Sequence, residues 1–309
     1  MQERNTSMMA STIPEPRGNM TSHQPMTPTV NFVSVISAIT INILLSILGT
    51  LGNLLVLVVI FFNIRLASVS NLLLGNLGAI DLVCTAYLVP GAVYKIFGVQ
   101  MGLCYVPETF LTVQRSIVQF VVAASVSNLF FIAVDRYLAI SFPFKYASML
   151  TKRRAISCII LSWIVAALIS FTFQYFKFFY VQSIYCTLLI LLTIALYIYI
   201  FVFAIRKERQ IAALQVANIK RGTNFLHERK STKTMVIILG VFLAAWVPAL
   251  VFYSTVSTAD PRYVMYQGWI NTIYFVNASL NPFIYCVRSS NFRKKAKQLM
   301  KVAMIRFSL

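Results

Sequence analysis

The chain has 309 residues, 59% of them hydrophobic and only 11% charged, whereas an ordinary soluble domain carries about a quarter charged residues. A mean hydropathy of +0.76 calls for lipid as solvent. The formal charge of +19 and pI near 10.0 do not mark a nucleic-acid-binding domain, because the basic residues lie between apolar runs rather than on a soluble patch. Five scattered cysteines without a C-x-x-C pair exclude a disulfide framework and a zinc site. With His23 and His227 in polar segments and no phosphate loop or nucleophile-base pair, the residues give no enzyme.

Residues 1–31 are rich in Ser, Thr, Pro, Met and Asn, without apolar periodicity, and read as a disordered tail. Glu3, Arg4, Glu15 and Arg17 cancel in charge, so the tail crosses a bilayer without a large electrostatic penalty. No cleavable signal peptide is expected, and the first span directs insertion itself. Two N-x-S/T sequons make Asn5 and Asn19 glycosylation candidates if the tail is outside the cell; a third, at Asn277, lies inside an apolar run.

Seven segments have the roughly twenty mostly apolar residues that a membrane-crossing helix needs: 32–62, 69–95, 105–138, 153–175, 182–206, 230–256 and 264–287. The expected domains are the tail 1–31, a seven-span unit 32–288, and a segment 289–309. In that last segment basic residues alternate with Phe292, Leu299 and Met300, which are expected to face lipid from an interfacial eighth helix. Lysine and arginine fill the first, third and fifth connectors and the C-terminal segment: Arg65, then Lys145 and 152–154, then eight from Arg206 to Lys233, then seven from Arg288 onward, 20 of the 27 in all. The positive-inside bias therefore puts the N-terminus outside and the C-terminus in the cytoplasm. No internal repeat points to a transporter.

Polar side chains inside spans are costly unless partnered, which makes each one a functional candidate. Span one carries Gly52-Asn53; span two has Asp81; span three has Ser125 and ends in Asp135-Arg136-Tyr137. Span six contains Phe242, Trp246 and Pro248, and span seven Asn277 and then Asn281-Pro282 with Tyr285. This order, one motif per span, resembles the rhodopsin-like G-protein-coupled receptors from about residue 35 to 305. The resemblance implies an all-α membrane protein, a seven-helix bundle with a short cytoplasmic amphipathic eighth helix. It also implies a plasma-membrane receptor that passes an external ligand signal to a heterotrimeric G protein, with membrane lipids as further partners and no role for nucleic acid.

By the same resemblance Asp135, Arg136, Tyr137, Glu228, Tyr199 and Tyr285 form the coupling switch, Glu228 being either the releasable partner of Arg136 or a solvating charge in a basic loop. Pro143 and Phe144 look like the apolar plug that docks on a G-protein α subunit. Phe242, Trp246 and Pro248 are similar to the family's rotamer-coupled toggle, and Pro248 and Pro282 each remove a helix hydrogen bond and permit a kink. Asp81, Ser125, Asn277 and Asn281 occupy the family's sodium-site positions and supply the oxygen ligands that a hard cation wants; the alternative is a watered network around a protonated Asp81. Asn53 is expected to bridge spans one, two and seven.

The opposite half departs from the family. Leu111 stands where the usual span-three cysteine is expected, Cys104 comes seven residues too early, and Cys186 falls inside span five, so no disulfide is expected. The connector between spans four and five is very short, and Leu191 replaces the usual span-five proline, a combination that looks like the melanocortin and lysophospholipid-cannabinoid side of the family. Yet Gly91, Leu111 and Arg115 stand where melanocortin receptors place calcium-binding acids. Val118 replaces the aspartate of amine receptors and Phe275 the retinal lysine of opsins. The remaining pocket candidates are Gln114, Arg115, Val118, Gln119, Trp246, Tyr253, Trp269, Asn271 and Tyr274. Arg115 either meets an anionic or lipid-like ligand or snorkels to headgroups. A transporter or channel using the polar line through Asp81, or a non-signalling membrane interaction protein, is the alternative reading.

Overall fold

The computed structural model describes residues 32–62, 68–176, 178–214, 263–288 and 290–307, together with 240, 244, 246–249, 251–252, 255–256 and 260. Asn5, Asn19, Glu228, Phe242 and Tyr253 lie outside the described residues. Every regular element among the described residues is helical, and the fold is an all-α seven-helix membrane bundle. Span one is Phe32–Phe61, span two runs from Val69 to Gln100, span three is Glu108–Ser141, span four Lys152–Phe176 and span five Phe179–Leu214. Span six is described at 246–249 and neighbouring positions, and span seven is Tyr263–Arg288, followed by an eighth helix, Ser290–Phe307.

Local chemistry sets several of these boundaries. Ser68 caps span two by accepting from the Asn71 amide at 3.3 Å, supplying one of the acceptors a helix start lacks. Span three starts at Glu108, later than residue 105, because Pro107 holds an extended backbone (ψ 141°) just before it. Span two is interrupted by π-helical turns at Cys84–Leu88 and Ile96–Gln100. The first of these lies immediately ahead of Pro90, whose ring cannot donate to the carbonyl one turn back. Between spans four and five only residues 177 and 178 remain as connector, in accord with the short loop expected there.

Spans two and three form the axis of the bundle. In their most apolar windows 56% of residues are buried, against 22% in spans one, four and five. The outer helices turn Leu44, Leu48, Ile160, Ile164, Leu188 and Leu192 outward, as suits a lipid-facing surface. Their polar groups point inward and close on one another. Span seven is tied to span one by Asn42 Nδ2 donating to Thr272 Oγ1 (3.0 Å), Ser279 Oγ to the Leu45 carbonyl (3.0 Å) and Trp269 Nε1 to Ser34 Oγ (2.8 Å). Ser46 Oγ joins spans one and two through the Thr85 carbonyl at 2.8 Å. Gly49 makes this approach possible, since a Cβ there would lie 2.5 Å from Thr85 Cγ2 and 2.7 Å from Ser279 Oγ.

The eighth helix corrects one expectation. Phe292 does not face lipid: it is buried with Ala296 in the core cluster that contains Tyr285, and Leu299 packs against the same cluster. Arg293, Lys294, Lys295 and Lys297 are on the exposed side. The apolar stripe of this helix is used first to seat it against the bundle.

Replacing Gly49 with valine forces a branched side chain between Thr85 and Ser279, an overpacking that costs roughly 1–3 kcal/mol. Thermal unfolding in detergent is expected to show a lower Tm for Gly49→Val than for the parent. Gly75→Ala serves as the control and is expected to stay near the parent, because its Cβ would meet Ile60 at an ordinary 3.5 Å.

Candidate functional site

At the basic end of the bundle, span three delivers Asp135 into a nearly waterless position, 1% exposed. A carboxylate there requires donors, and three side chains from three elements supply them. Arg136 Nε donates to Asp135 Oδ2 at 2.9 Å, and its Nη2 lies against both Asp135 and Ser70. Ser70, in the first turn of span two, donates its hydroxyl to Oδ2 at 2.9 Å, and Tyr146 donates its phenol to Oδ1 at 2.5 Å. Tyr146 opens a short helix, Tyr146–Met149, in the connector after span three. Burial, together with its hydrogen bond to the Asp135 charge, pushes this phenol up to about 12. Motif reading passes over both Ser70 and Tyr146, since neither lies in the Asp135-Arg136-Tyr137 triplet.

The other residues expected to form the switch are Tyr137, Tyr199, Tyr285, Pro143 and Phe144. Tyr137 packs edge-on against Phe142 and against Tyr199, with ring centroids 5.3 Å apart in the second pair. Tyr199 also stacks on Phe203 and is half-exposed. Tyr285 is buried, and its hydroxyl has no hydrogen-bond partner among the described residues. Pro143 is exposed, and Phe144 projects fully from the turn beyond span three.

Nearer mid-membrane a second polar cluster brings together Asp81, Ser125, Asn277 and Asn281, four residues expected to act together. With Leu77, Leu129, Tyr274 and Ala278 they line a cavity of about 10 Å³, roughly the space for one water. Asn281 Nδ2 donates to Asp81 Oδ2 at 2.7 Å, while its Oδ1 is buried without a partner among the described residues. Asn53 Nδ2 donates to the Ala278 carbonyl at 3.0 Å, which ties span one to span seven beside the cavity. Tyr274 carries the cavity wall up to Trp246, its ring edge-on at 5.3 Å. Pro248 lies half-buried two residues further along span six.

A third network was not singled out from sequence. Asn76 Nδ2 donates to Asn128 Oδ1 (2.9 Å), Asn128 Nδ2 to the Leu73 carbonyl (3.1 Å), and Trp163 Nε1 to Asn76 Oδ1 (2.9 Å). Spans two, three and four are thereby pinned together. The cost of polar groups in spans applies to Asn76 and Asn128 as much as to Asp81, and was the signal available to find them.

The pocket candidates at the opposite end are dispersed. Arg115 is exposed and ion-paired with Glu108 at 2.5 Å. Trp269 commits its indole N–H to span one, Val118 packs in an apolar cluster, and the Gln119 carbonyl accepts from Gln182 Nε2 at 3.3 Å. Asn271 is half-buried, and Gln114 is buried against span two. Cys104 is an exposed free thiol in the segment before span three, and Cys186 is buried in span five.

Residues 52–180 match the family of 7 transmembrane receptors (rhodopsin family). The trace amine-associated receptor 13c of Danio rerio is 28% identical over 88% of this chain and 86% of its own length. The adenosine receptor A2a of Homo sapiens is 24% identical over 87% of this chain and 73% of that protein, and the alpha-1A adrenergic receptor of Cavia porcellus is 23% identical over 92% and 71%. In its motifs, its helical bundle and its relatives the chain is similar to the rhodopsin-like G-protein-coupled receptors.

Tyr146→Phe removes one donor from Asp135 and is expected to lower stability by about 1–2 kcal/mol, read as a reduced Tm. Because the phenol is raised, it remains a protonated donor until pH climbs through about 12. The Tm difference between parent and variant should therefore be flat from about pH 6 to 9 and shrink only in strong alkali, where the parent loses the proton.

Proposed function

We propose that this receptor lies in the plasma membrane with its N-terminus outside, and that it activates a heterotrimeric G protein by moving span six away from the Asp135 hub. The observation that carries the reading is the hub itself. Arg136 is held to one side by Asp135 and Ser70, at the end of the bundle where lysine and arginine concentrate. Releasing Arg136 frees a guanidinium for a new partner, a role proposed for Tyr285, whose hydroxyl is unpaired among the described residues, and for half-exposed Tyr199. The exposed Pro143 and Phe144 offer an apolar contact for an α subunit, and Glu228 is proposed as a further restraint on Arg136. No catalytic role is proposed.

The donor set near mid-membrane fits a sodium ion: a carboxylate from Asp81, a hydroxyl from Ser125, the orphaned Oδ1 of Asn281 and the amide of Asn277. When bound, such an ion supplies positive charge that offsets Asp81. The residues themselves hold spans two, three and seven in one packing.

The relatives are named for trace amines, adenosine and adrenergic signalling, and an amine is not carried over to this chain. Val118 is half-buried among apolar side chains and offers no counter-charge to an ammonium. A transporter or channel is not favoured, since the relatives matched over most of their length are receptors.

Arg136→Ala is expected to reduce nucleotide exchange on G protein in membranes at least about tenfold while surface expression stays near the parent. Output equal to the parent would reject the mechanism. For the ion, sodium is expected to raise the Tm of the parent and leave Asp81→Asn unmoved; equal responses from the two would reject the site.

A further inference from the structure

We infer that the turn joining spans four and five holds the headgroup of a choline lipid, with its trimethylammonium against a corner of exposed aromatic rings. This goes beyond the receptor reading and rests only on the bundle lying in a membrane.

Span four ends at Phe176 and span five begins at Phe179, so the connector between them is too short to fold back over this end of the pair. Five rings cluster there in unbroken contact. Tyr175 lies 4.5 Å from Phe171 between centroids, and Phe171 meets Phe176 at 6.0 Å. Phe176 to Phe178 and Phe178 to Tyr180 are steps of 5.7 Å each. The rings form two walls: Phe171 and Tyr175 are inclined by 34°, Phe176 and Phe178 by only 24°, and the walls meet at 73° between Phe171 and Phe176. Every ring remains exposed, from 43% at Phe178 to 70% at Tyr175. So much aromatic surface gathered in one place marks a contact surface rather than a face left to water.

Depth, charge and methylation select the occupant. The patch closes the ends of two apolar spans, and the Tyr175 and Tyr180 phenols want polar partners, so the rings suit headgroup level rather than the acyl chains. Lys177 is the only charged residue from 155 to 205. The positive end of a ligand therefore has ring faces to meet, while its negative end finds a lysine in the same turn and two phenol donors. A zwitterion fits this pattern and a free amine does not. A trimethylammonium has no N–H to leave unsatisfied and presents charged, apolar methyl groups to the rings, the chemistry for which angled aromatic walls are suited. An ethanolamine ammonium keeps its donors on water and phosphate, and gains less from a ring face.

The test reconstitutes the full chain in nanodiscs of equal parts phosphatidylcholine and phosphatidylethanolamine with identical palmitoyl-oleoyl chains. After extraction in mild detergent, the lipids retained on the protein are counted by native mass spectrometry. The parent is expected to retain phosphatidylcholine over phosphatidylethanolamine by roughly threefold or more. Phe171→Leu combined with Tyr175→Leu and Phe176→Leu keeps the surface apolar and removes the corner, and should retain the two lipids equally. Phe61→Leu, which removes an exposed ring from span one, should keep the parent's preference. Should the triple variant lose its fold, Phe176→Leu alone, at the meeting of the walls, must lower the ratio. Equal retention by the parent rejects the inference, as does a preference that survives loss of the rings at an unchanged Tm. A parent that cross-links as a dimer, without lipid preference and only while the rings are present, would overturn it in favour of a second copy of the chain.

Discussion

A single buried carboxylate organises the basic end of this protein. Asp135 is removed from water at the edge of the bundle and accepts from Arg136, Ser70 and Tyr146. Breaking one partner of such a cluster leaves an uncompensated charge, which is costly, whereas exchanging partners is cheap. The hub is therefore suited to two arrangements rather than to gradual loosening. It also links span two, span three and the connector helix Tyr146–Met149.

The same need to satisfy polar groups without water shapes the rest of the bundle. Spans one and seven are joined by Asn42, Asn53, Ser279 and Trp269, and spans two, three and four by Asn76, Asn128 and Trp163. The two sets are joined in turn by Ser46 with the Thr85 carbonyl and by Asn281 with Asp81. Between them lies the small cavity at Asp81, whose wall includes Tyr274, and Tyr274 touches Trp246 of span six. Tyr274 thus connects Trp246 of span six to the polar core.

Much of this was legible in the sequence, and the reasons are physical. Charge and amide residues in apolar runs are rare enough that Asp81, Asn281 and the Asp135-Arg136 pair stand out, and span lengths follow from bilayer thickness. Asn76 and Asn128 carry the same signal but belong to no contiguous motif. Ser70 and Tyr146 are small or amphipathic residues near the membrane edge, where neither hydropathy nor spacing marks a partner. Directions were the least legible feature. Phe292 and Arg115 sit on helices whose rotation is set by neighbours: one turned inward to the Tyr285 cluster, the other outward to Glu108. Nor does spacing along span two, with its π-helical turns, mark Gln267 of span seven as the partner of Lys95.

The central claim is that the Asp135 charge restrains the receptor. Asp135→Asn keeps the shape and removes the charge, so basal nucleotide exchange on G protein, measured in membranes without added ligand, reports on it directly. A rise of roughly tenfold at equal receptor number is the result expected if losing the ion pair shifts the two-state balance by somewhat over 1 kcal/mol. Basal exchange indistinguishable from the parent would contradict the account.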